Sequence, residues 1–444
     1  MLLKKEAFGK DFIWGVSTAA YQIEGAHDQD GKGPSIWDIF VKKKNKIFLG
    51  HHGDAACDFY NRYHRDLCLM YRLNIPNHRF SISWSRIFPN GIGEINKSGI
   101  DFYNRLIDFS LELGITPWIT LYHWDLPHAL ERKGGWVNRD ITAWFGDFVS
   151  TCVTHFGDRV KNWMILNEPM VFTAAGYFLG VHAPGKKGLD NFLAATHHAA
   201  LAQTHGARVI KGMQNDSIVG TTFSCSHIEP FRMRDKDMLA AKKADALLNR
   251  LFIEPLLGLG YPTDDIKILG RIEKYMEQHD ERDLAFNMDF IGVQNYTREM
   301  IRYASFVPFV KAKIVSAKKR RVEMTSMHWE VYPESIYHIL KKFSAYPNMP
   351  PLIVTENGAA FPDLVENGQV DDPKRLDYLQ RTIGQVLRAK QEGVKVDGYF
   401  VWTFLDNFEW AEGYHPRFGL VYVDFKTQQR IVKSSGQWYA DFLK

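Results

Sequence analysis

The stretch that decides the fold reads Leu352-Ile353-Val354-Thr355-Glu356-Asn357-Gly358. Its first four residues predict a short buried strand, and Glu356 follows where that strand reaches a surface. An ionised carboxylate is costly in an apolar interior unless it is paired, so this glutamate is not ordinary core filling. Considered alone, it serves equally well as a structural residue that caps a helix or pairs with an arginine.

A second stretch repeats this pattern earlier in the chain, and it reads Asn162-Trp163-Met164-Ile165-Leu166-Asn167-Glu168-Pro169. Here too an apolar strand ends in an amide and a glutamate. Two carboxylates in matching positions favour a shared chemical function over two unrelated caps.

Apolar, strand-like runs recur through the whole chain and are mostly separated by helical patterns. The predicted strands cover residues 12–20, 78–84, 115–124, 162–168, 218–223, 290–293, 352–355 and 398–404. Helices are predicted over 102–113, 144–156, 191–210 and 376–387, and a long loop over 28–54. Strand followed by helix, repeated in this way, predicts an α/β fold: a single-domain (β/α)8 TIM barrel over 1–444 with long βα loops. A doubly wound sheet is the alternative, but no glycine-rich phosphate loop follows an early strand.

Polar side chains cluster near the C-terminal ends of the predicted strands. In a barrel those ends form one face, and that face carries the active site. One polar residue at a strand end is usually a cap, but strand after strand ending in this way is poorly explained by capping. The residues concerned are Arg79, His123, Asn167, Glu168, Asn295, Tyr296, Glu356 and Trp402.

Two carboxylates facing each other across a barrel mouth suit glycoside hydrolysis, which needs one proton donor and one nucleophile or base. If Arg79 lies near Glu356, its charge favours the ionised form and marks Glu356 as the nucleophile. Glu168 has no adjacent cation in the sequence and is the better candidate for the protonated acid. We expect the two carboxyl groups to lie roughly 5 to 5.5 Å apart, the spacing for retention, whereas about 6.5 to 9.5 Å would mean inversion.

Several further residues near these strand ends suit a sugar ligand. Flat apolar faces for a pyranose ring are offered by Trp124, Trp402 and Trp410, and hydrogen bonds to hydroxyl groups by Gln22, His123, Asn167 and Glu409. These residues also have purely structural interpretations: His123 could be a core histidine, Glu409 an exposed loop acid and Trp402 a core residue. Their shared placement favours the functional interpretation.

Charge and cysteine content exclude several classes of function. The net charge is +4 in 444 residues, which does not suggest nucleic-acid binding. The basic run over 311–321 is interpreted as a solvated loop. Four cysteines without CxxC spacing predict free thiols in a reducing cytosol. No signal peptide and no 18-residue apolar run is found, so we expect a cytoplasmic protein without a membrane span.

Metal catalysis is not favoured by the histidine pattern. The adjacent pairs His51-His52 and His197-His198 cannot easily ligate one ion, and no HExxH motif occurs. We therefore expect neither a catalytic metal nor a cofactor.

Taken in order, the motifs make the chain resemble family 1 glycoside hydrolases, the β-glucosidase family, over essentially its whole length. Any one of the motifs is weak, but the ordered set is specific. They are Phe12-Ile13-Trp14-Gly15, Tyr21-Gln22-Ile23-Glu24-Gly25, Arg79-Phe80-Ser81-Ile82-Ser83-Trp84, His123-Trp124-Asp125-Leu126-Pro127, Asn167-Glu168-Pro169, Asn295-Tyr296, Thr355-Glu356-Asn357-Gly358, Trp402 and Glu409-Trp410.

The resemblance implies a (β/α)8 barrel that works by retaining double displacement without a cofactor. It makes Glu356 the nucleophile and Glu168 the acid/base. It assigns the terminal sugar to Gln22, His123, Asn167, Glu409 and Trp410, with Trp402 as the floor beneath it. Arg79, Asn295 and Tyr296 are expected to support the nucleophile, and Trp329 is expected to be an aromatic residue of the aglycone side.

The expected activity is that of a β-glucosidase on terminal β-D-glucosyl residues of short β-glucosides such as cellobiose and aryl glucosides. Side activity on β-galactosides and β-fucosides is expected, because the family commonly accepts both C4 epimers. The partners expected are small β-glucosides or oligosaccharides, and homo-oligomerisation stays open.

Two alternatives remain. A 6-phospho-β-glycosidase is disfavoured by the retained Glu409-Trp410 pair and the additional Glu412, and a non-catalytic sugar-binding barrel by the presence of both glutamates. The chain departs from the family at Thr297, where relatives often carry tyrosine, and in the basic loop over 306–321. These departures leave the aglycone preference open.

Overall fold

The computed structural model describes residues 3–444, and its centre is a closed barrel of eight parallel strands. Each strand pairs with its neighbour in the chain, and the last strand closes on the first with Ile13 opposite Gly398 and Ser17 opposite Trp402. The fold class predicted from the sequence is therefore confirmed. The barrel strands are β1 (Ile13–Ser17), β2 (Asn77–Ser81), β3 (Thr116–Tyr122), β4 (Asn162–Asn167), β5 (Ile218–Ser224), β6 (Phe290–Gln294), β7 (Leu352–Asn357) and β8 (Val396–Trp402).

Helices surround the barrel and build its loops. The α-helices are Ala20–Ile23, Ile36–Phe40, Phe59–Arg72, Trp84–Ile87, Lys97–Glu112, His128–Glu131, Ile141–Phe156, Pro169–Thr173, Leu189–Met213, Asp235–Asp245, Ile253–Leu256, Asp280–Asp283, Ala317–Arg320, Ser335–Ser344, Pro373–Gln391 and Ser434–Phe442. Short 3₁₀ segments cover Lys5–Phe8, Phe48–Gly50, Gly135–Val137, Lys267–Tyr275 and Trp410–Glu412, and π-helical turns cover Ala174–Leu179 and Ala246–Arg250. None of the helices in residues 3–444 has the length and hydropathy needed to cross a membrane.

The barrel interior is closed by large side chains from six different strands. Trp118, Met164, Phe290, Ile353 and Phe400 form one buried cluster, against which Ile13 packs. Glycines make room for the two phenylalanine rings, because a Cβ at Gly220 would lie 2.5 Å from the Phe290 ring and a Cβ at Gly15 2.6 Å from that of Phe400. This packed layer leaves the C-terminal ends of the strands as the face that can hold a site.

The strand bounds differ from the sequence prediction at informative places. The seventh strand continues to Asn357, so Glu356 is part of it. The first strand ends at Ser17, and Trp84 begins a short helix in place of ending the second strand. The predicted loop over 28–54 contains the helix Ile36–Phe40, which Ser35 and Asp38 start with a reciprocal capping box.

Strands outside the barrel were not predicted. His227–Pro230, Arg298–Tyr303 and Ala312–Ile314 form a three-stranded sheet, and Val421–Val423 pairs with Arg430–Val432. The interpretation of 311–321 as a solvated loop is confirmed for exposure, because five of its six basic residues are exposed. It is wrong about the loop, because the run contains a strand and a helical turn. Its Arg320 is nearly buried and pairs with Glu330 at 2.6 Å, so this cation is held by an acid that lies outside the basic run.

The four cysteines are free thiols, as the sequence predicts. Cys57, Cys152 and Cys225 are buried, whereas Cys68 is partly exposed.

A buried ion cluster anchors the loop after β8. The Lys433 ammonium lies 2.5 Å from an Asp363 oxygen and 2.7 Å from an Asp406 oxygen, and all three side chains are fully buried. Arg375 also binds Asp363, and Arg417 binds Asp406 at 2.7 Å. The loop that continues from Asp406 carries Glu409 and Trp410, so this cluster ties the C-terminal helix to the barrel face.

We expect Lys433→Met to lower the free energy of unfolding by about 3 to 5 kcal/mol, because it leaves two buried carboxylates without their shared cation. Chemical denaturation monitored by tryptophan fluorescence measures the change. Lys444→Met is the matched control, since its ion pair with Asp441 is exposed and is worth at most about 1 kcal/mol. Equal effects of the two substitutions would contradict the structural role of the cluster.

Candidate active site

A cavity of about 330 Å³ opens at the C-terminal face of the barrel. Nine residues proposed from the sequence line it: His123, Trp124, Glu168, Tyr296, Trp329, Glu356, Trp402, Glu409 and Trp410. The other four, Gln22, Arg79, Asn167 and Asn295, are buried and lie outside the cavity lining. The structure therefore brings the two glutamates and most of the candidate sugar-binding residues together in one place.

The Glu356 carboxylate is buried but held by two donors. Arg79 forms an ion pair with Oε1, and the Tyr296 hydroxyl donates to Oε2 at 2.6 Å. Burial raises the pKa of Glu356 above its ordinary value, and the charge of Arg79 and the hydrogen bond from Tyr296 offset part of this rise. These two contacts favour the ionised form of this carboxyl group.

Arg79 is itself fixed by contacts on every side of its guanidinium. Its Nε donates to the Thr120 hydroxyl at 2.9 Å, and Nη1 also reaches the Thr355 carbonyl at 3.3 Å. Nη2 donates to Asn167 Oδ1 at 2.5 Å. One fully buried cation therefore links the strand that carries Glu356 to the strand that ends at Asn167, directly before Glu168.

Glu168 lies in a different electrostatic setting. Burial raises its pKa well above the ordinary value, and the charge of Glu356 raises it further, against smaller opposing effects of Ser224 and Arg79. Its backbone is left-handed, with φ 45°, a conformation that costs a non-glycine residue roughly 1 to 2 kcal/mol. The N–H of Glu168 donates to the Thr222 carbonyl at 3.0 Å, which holds this turn at the start of helix Pro169–Thr173.

The two glutamates therefore differ in the protonation state that their surroundings favour. Glu356 has an arginine and a tyrosine hydroxyl on its oxygens, and Glu168 has neither. Pairs of carboxyl groups whose environments push their pKa values apart are typical of acid/base sites. This arrangement can supply one proton donor and one anionic nucleophile to the same cavity.

Asn167 orients the histidine of the cavity. Its Oδ1 accepts hydrogen bonds from Arg79, from Thr222 at 3.1 Å and from Gln294 at 2.7 Å. Its Nδ2 must therefore be the group that donates to His123 Nε2, at 2.9 Å. The His123 proton then lies on Nδ1, which is buried and has no partner within residues 3–444. Burial and the charge of Arg79 hold the pKa of His123 well below its ordinary value, so the ring is neutral.

Gln22 and Glu409 form a second polar corner. Gln22 Nε2 donates to the Phe408 carbonyl at 3.0 Å and to Glu409 Oε2 at 3.3 Å. Burial raises the pKa of Glu409 to about 8, and the charge of Glu356 contributes to this rise. Within the described chain, the buried Gln22 Oε1 has no hydrogen-bond donor. This corner therefore offers acceptor and donor groups that a hydroxylated ligand can bind.

Aromatic rings form the remaining walls. The rings of Trp124 and Trp410 lie 4.7 Å apart, and the His123 ring stacks on Trp402 at 5.8 Å. Trp329 packs against Tyr296 at 5.3 Å, on the side of Glu356 where that tyrosine lies. Such faces suit the apolar C–H side of a flat ligand.

Asn295, expected to support the nucleophile, does not contact its carboxylate directly. The Asn295 amide donates to the Cys225 carbonyl at 2.8 Å and to the Ser335 hydroxyl at 2.9 Å, away from the Glu356 carboxylate. Its backbone N–H donates to the Glu356 carbonyl at 3.3 Å. Asn295 therefore fixes the loop that carries Tyr296, and Tyr296 makes the contact with the carboxylate.

Sequence reasoning missed several residues of the site. Thr120, Thr222 and Gln294 hold Arg79 and Asn167, and Glu299 and Ser224 line the cavity. Gln294 could have been found, because it stands at a strand end directly before Asn295. Glu299 carries no comparable signal, since it lies in a strand outside the barrel.

No group of three or more histidine, cysteine, aspartate or glutamate side chains is arranged to hold a metal ion in the part of the chain that the structure describes.

Comparison with known proteins identifies the family of this chain. Residues 4–444 match the family model described as glycosyl hydrolase family 1. The chain belongs to this family. The resemblance seen in the sequence motifs is therefore confirmed, and the chain is a glycoside hydrolase.

Full-length relatives and solved structures agree with this membership. "Beta-glucosidase A" of Thermotoga maritima is 45% identical over 442 residues, covering 98% of each chain. "Beta-glucosidase A" of Acetivibrio thermocellus is 42% identical over 447 residues, covering 100% of this chain and 99% of the relative. The structure of the Thermotoga maritima β-glucosidase in complex with glucoimidazole superimposes with a TM-score of 0.92 at 44% identity, covering 98% of both chains.

Proposed function

We propose that this family 1 member is a retaining β-glucosidase that hydrolyses terminal non-reducing β-D-glucosyl residues of short β-glucosides such as cellobiose and aryl glucosides. The observation that carries the proposal is the pair of buried glutamates in one cavity, of which only Glu356 is held by a cation and a hydroxyl donor. The names of the relatives support the same substrate class.

In the first step, a Glu356 oxygen attacks the anomeric carbon while Glu168 gives its proton to the departing glycosidic oxygen. The bond to the aglycone breaks with its electron pair going to that oxygen, and a glucosyl ester of Glu356 forms. Arg79 and Tyr296 hold the carboxylate in place for this attack. Glu168, now anionic, then accepts a proton from water as the water oxygen attacks the anomeric carbon and frees Glu356.

The terminal sugar is proposed to lie between the polar corner and the tryptophan walls. Gln22 Oε1 and His123 Nδ1 are a buried acceptor and a buried donor without protein partners, and a glucose hydroxyl can satisfy each of them. Glu409 adds a carboxyl group beside Gln22, and Trp402 and Trp410 offer ring faces to the pyranose. Trp329 is proposed to contact the aglycone.

The lining of the cavity offers no cation that could bind the phosphate of a 6-phosphoglycoside. Among the described residues that line the cavity there is no lysine or arginine, whereas Glu168, Glu299, Glu356, Glu409 and Glu412 all do so. A phosphate dianion there would be desolvated without a positive partner, which is strongly unfavourable. Unphosphorylated sugars are therefore the proposed substrates.

A substrate panel tests the proposal. The kcat/KM for p-nitrophenyl β-glucoside should exceed that for its 6-phosphate at least about 100-fold, because the site supplies no charge-assisted bond to the phosphate. The β-galactoside, the β-fucoside and cellobiose complete the panel, and all three are proposed to be cleaved. Proton NMR of the first product should show β-glucose.

Three results of this panel would contradict the proposal. Release of α-glucose first would indicate inversion, preference for the phosphate would favour a 6-phospho-β-glycosidase, and no release would favour a sugar-binding barrel.

We also propose that the whole chain acts as one catalytic domain on small-molecule substrates in a reducing compartment. Four free cysteines support the compartment.

A further inference from the structure

The small three-stranded sheet outside the barrel ends in two loops that lie side by side. Its strands His227–Pro230 and Arg298–Tyr303 run parallel, so the segments that follow them leave the sheet at the same end. The second of these segments is a hairpin, because Arg298–Tyr303 pairs antiparallel with Ala312–Ile314. We call residues 231–238 and 302–314 together the sheet tip.

Hydrogen bonds tie the two loops to each other. The Phe231 N–H donates to the Ile301 carbonyl at 2.6 Å, and the Tyr303 N–H donates to Asp237 Oδ1 at 2.7 Å. Alanines of helix Asp235–Asp245 pack against Ile301 in a buried cluster. The sheet tip is therefore one surface, built on a paired backbone and a packed helix.

Large apolar side chains of the sheet tip are exposed to solvent. Met233 is 82% exposed, Phe306 is 71% exposed and Phe309 is 47% exposed. Single exposed apolar residues are common on folded proteins, but several that share one end of a sheet indicate an interaction surface.

The same sheet tip is strongly basic. It contains six basic and two acidic residues, so its net charge equals the +4 of the whole chain. One of the two acids, Asp237, is buried and is occupied with the backbone of Tyr303. All six basic side chains are exposed, and they are Arg232, Arg234, Lys236, Arg302, Lys311 and Lys313.

None of these six cations forms an ion pair within the described residues 3–444. The next cation along the same strand does, since Arg298 pairs with Glu229 at 2.7 Å. Arg302 lies directly opposite Lys313 in the antiparallel pair, and like charges in this position destabilise a sheet. A negatively charged partner would remove this repulsion, so the charge of the sheet tip is complementary to an anionic surface.

Cations and apolar side chains are direct neighbours on the sheet tip. The Lys313 Nζ lies 5.4 Å from the centre of the Phe306 ring, and the Lys236 Nζ lies 5.7 Å from that of Tyr303. This mixture fits the surface of an anionic bilayer, where apolar side chains enter the acyl boundary and basic side chains contact lipid phosphates. A nucleic acid or an acidic protein would match the charge alone.

We propose that the sheet tip docks this protein onto the surface of an anionic lipid bilayer. Clusters of about four to eight lysines and arginines are typical of such peripheral binding, and the sheet tip has six. The cytoplasmic leaflet carries anionic lipids, so this docking agrees with the reducing compartment proposed above. It goes beyond the β-glucosidase function and does not depend on it.

Co-sedimentation of the full chain with lipid vesicles tests the proposal. At low salt the protein should bind vesicles of about three parts phosphatidylcholine to one part phosphatidylglycerol, since each basic residue near an anionic surface raises the affinity about fivefold. Binding should weaken as salt screens these charges, and pure phosphatidylcholine vesicles should not be bound. Equal binding to both kinds of vesicle, or binding to neither, would overturn the proposal.

The double variant Lys236→Glu, Lys313→Glu locates the electrostatic contribution. Vesicle binding should weaken at least about 25-fold, because two favourable contacts become repulsive. Lys10→Glu, Lys395→Glu is the matched control, since both lysines are exposed and precede β1 and β8 at the opposite end of the barrel. The control has the same net charge but should weaken binding less than about twofold, as its changes lie beyond the screening length. Equal weakening by the two double variants would overturn the proposal.

The double variant Met233→Ser, Phe306→Ser separates a bilayer from other anionic partners. Vesicle binding should weaken at least about tenfold, because two apolar side chains no longer enter the bilayer. Leu111→Ser, Met213→Ser is the matched control, with side chains 40% and 48% exposed on other helices. If vesicles and duplex DNA bind the Met233, Phe306 variant as tightly as the unchanged protein, the sheet tip is a general polyanion site and the proposal fails.

Folding and self-association are measured on the same variants. Unchanged melting temperatures should show that all of them fold, whatever glycoside the enzyme cleaves. In sedimentation velocity without vesicles, the unchanged protein and the Met233→Ser, Phe306→Ser variant should have the same mass. Loss of a dimer in this variant, together with no vesicle binding by the unchanged protein, would assign the sheet tip to a second copy of the chain and overturn the proposal.

Discussion

Replacing Glu356 by glycine is expected to lower kcat for p-nitrophenyl β-glucoside by about 10⁵-fold, because the covalent step loses its nucleophile. Arg79 and Tyr296 hold the Glu356 carboxylate in place, and the glycine variant leaves these two groups without it. Initial rates of nitrophenol release measure the loss. Glu366→Gly, at an exposed position, is the control and should leave the rate unchanged.

Chemical rescue by azide tests which glutamate is the nucleophile and which is the acid/base. Azide can occupy the space left by the Glu356 carboxylate beside Arg79, and it should restore part of the rate and yield α-glucosyl azide. In Glu168→Gly, azide should instead attack the glucosyl ester from the other face and yield β-glucosyl azide. The opposite pairing of products would exchange the two roles, and an active Glu356→Gly enzyme would remove the nucleophile from this site.

Much of the barrel could be predicted because each strand carries its own signal. Leu352–Asn357 and Asn162–Asn167 are short apolar runs that end in polar side chains, and this pattern needs no knowledge of distant residues. Parallel strands then bring all their C-terminal ends to one face, so the local pattern also predicts the location of the site.

The contacts that set the chemistry could not be predicted in the same way. Arg79 contacts Thr120 on the next strand and Asn167 on the strand after it, and Gln294 contacts Asn167 although the two are 127 positions apart in the sequence. Such neighbours are determined by strand order and register, so they cannot be predicted from the composition of one strand. The Asn295 amide is an example, since its hydrogen bonds to Cys225 and Ser335 could not be predicted from the neighbouring sequence.

Short strands outside the barrel were missed for a related reason. Arg298–Tyr303 and Ala312–Ile314 are held mainly by pairing and by the helix Asp235–Asp245 beneath them. Their charged residues resemble a solvated loop when the partner strands are unknown. The strand Arg298–Tyr303 also carries Glu299, so this part of the cavity lining was missed with it.

The acid/base role of Glu168 predicts a loss that depends on the leaving group. Glu168→Gln keeps the side-chain shape but removes the proton, so kcat/KM for cellobiose should fall about 10³-fold, within the range of general acid catalysis. A 2,4-dinitrophenyl leaving group needs no proton, and its kcat/KM should fall less than about tenfold. Equal losses for both substrates would indicate a damaged site, and unchanged melting temperature is the control for folding.

The pH profile provides an independent test of the same role. Burial and the charge of Glu356 raise the pKa of Glu168, so this group stays protonated as pH rises past the ordinary range of a glutamate. In the free enzyme, kcat/KM should fall on the alkaline side when Glu168 ionises and on the acidic side when Glu356 is protonated. Because the two groups interact, the limbs report the pair. In Glu168→Gln the alkaline limb should disappear while the acidic limb remains, since Glu356 keeps its contacts with Arg79 and Tyr296 and is still protonated as pH falls.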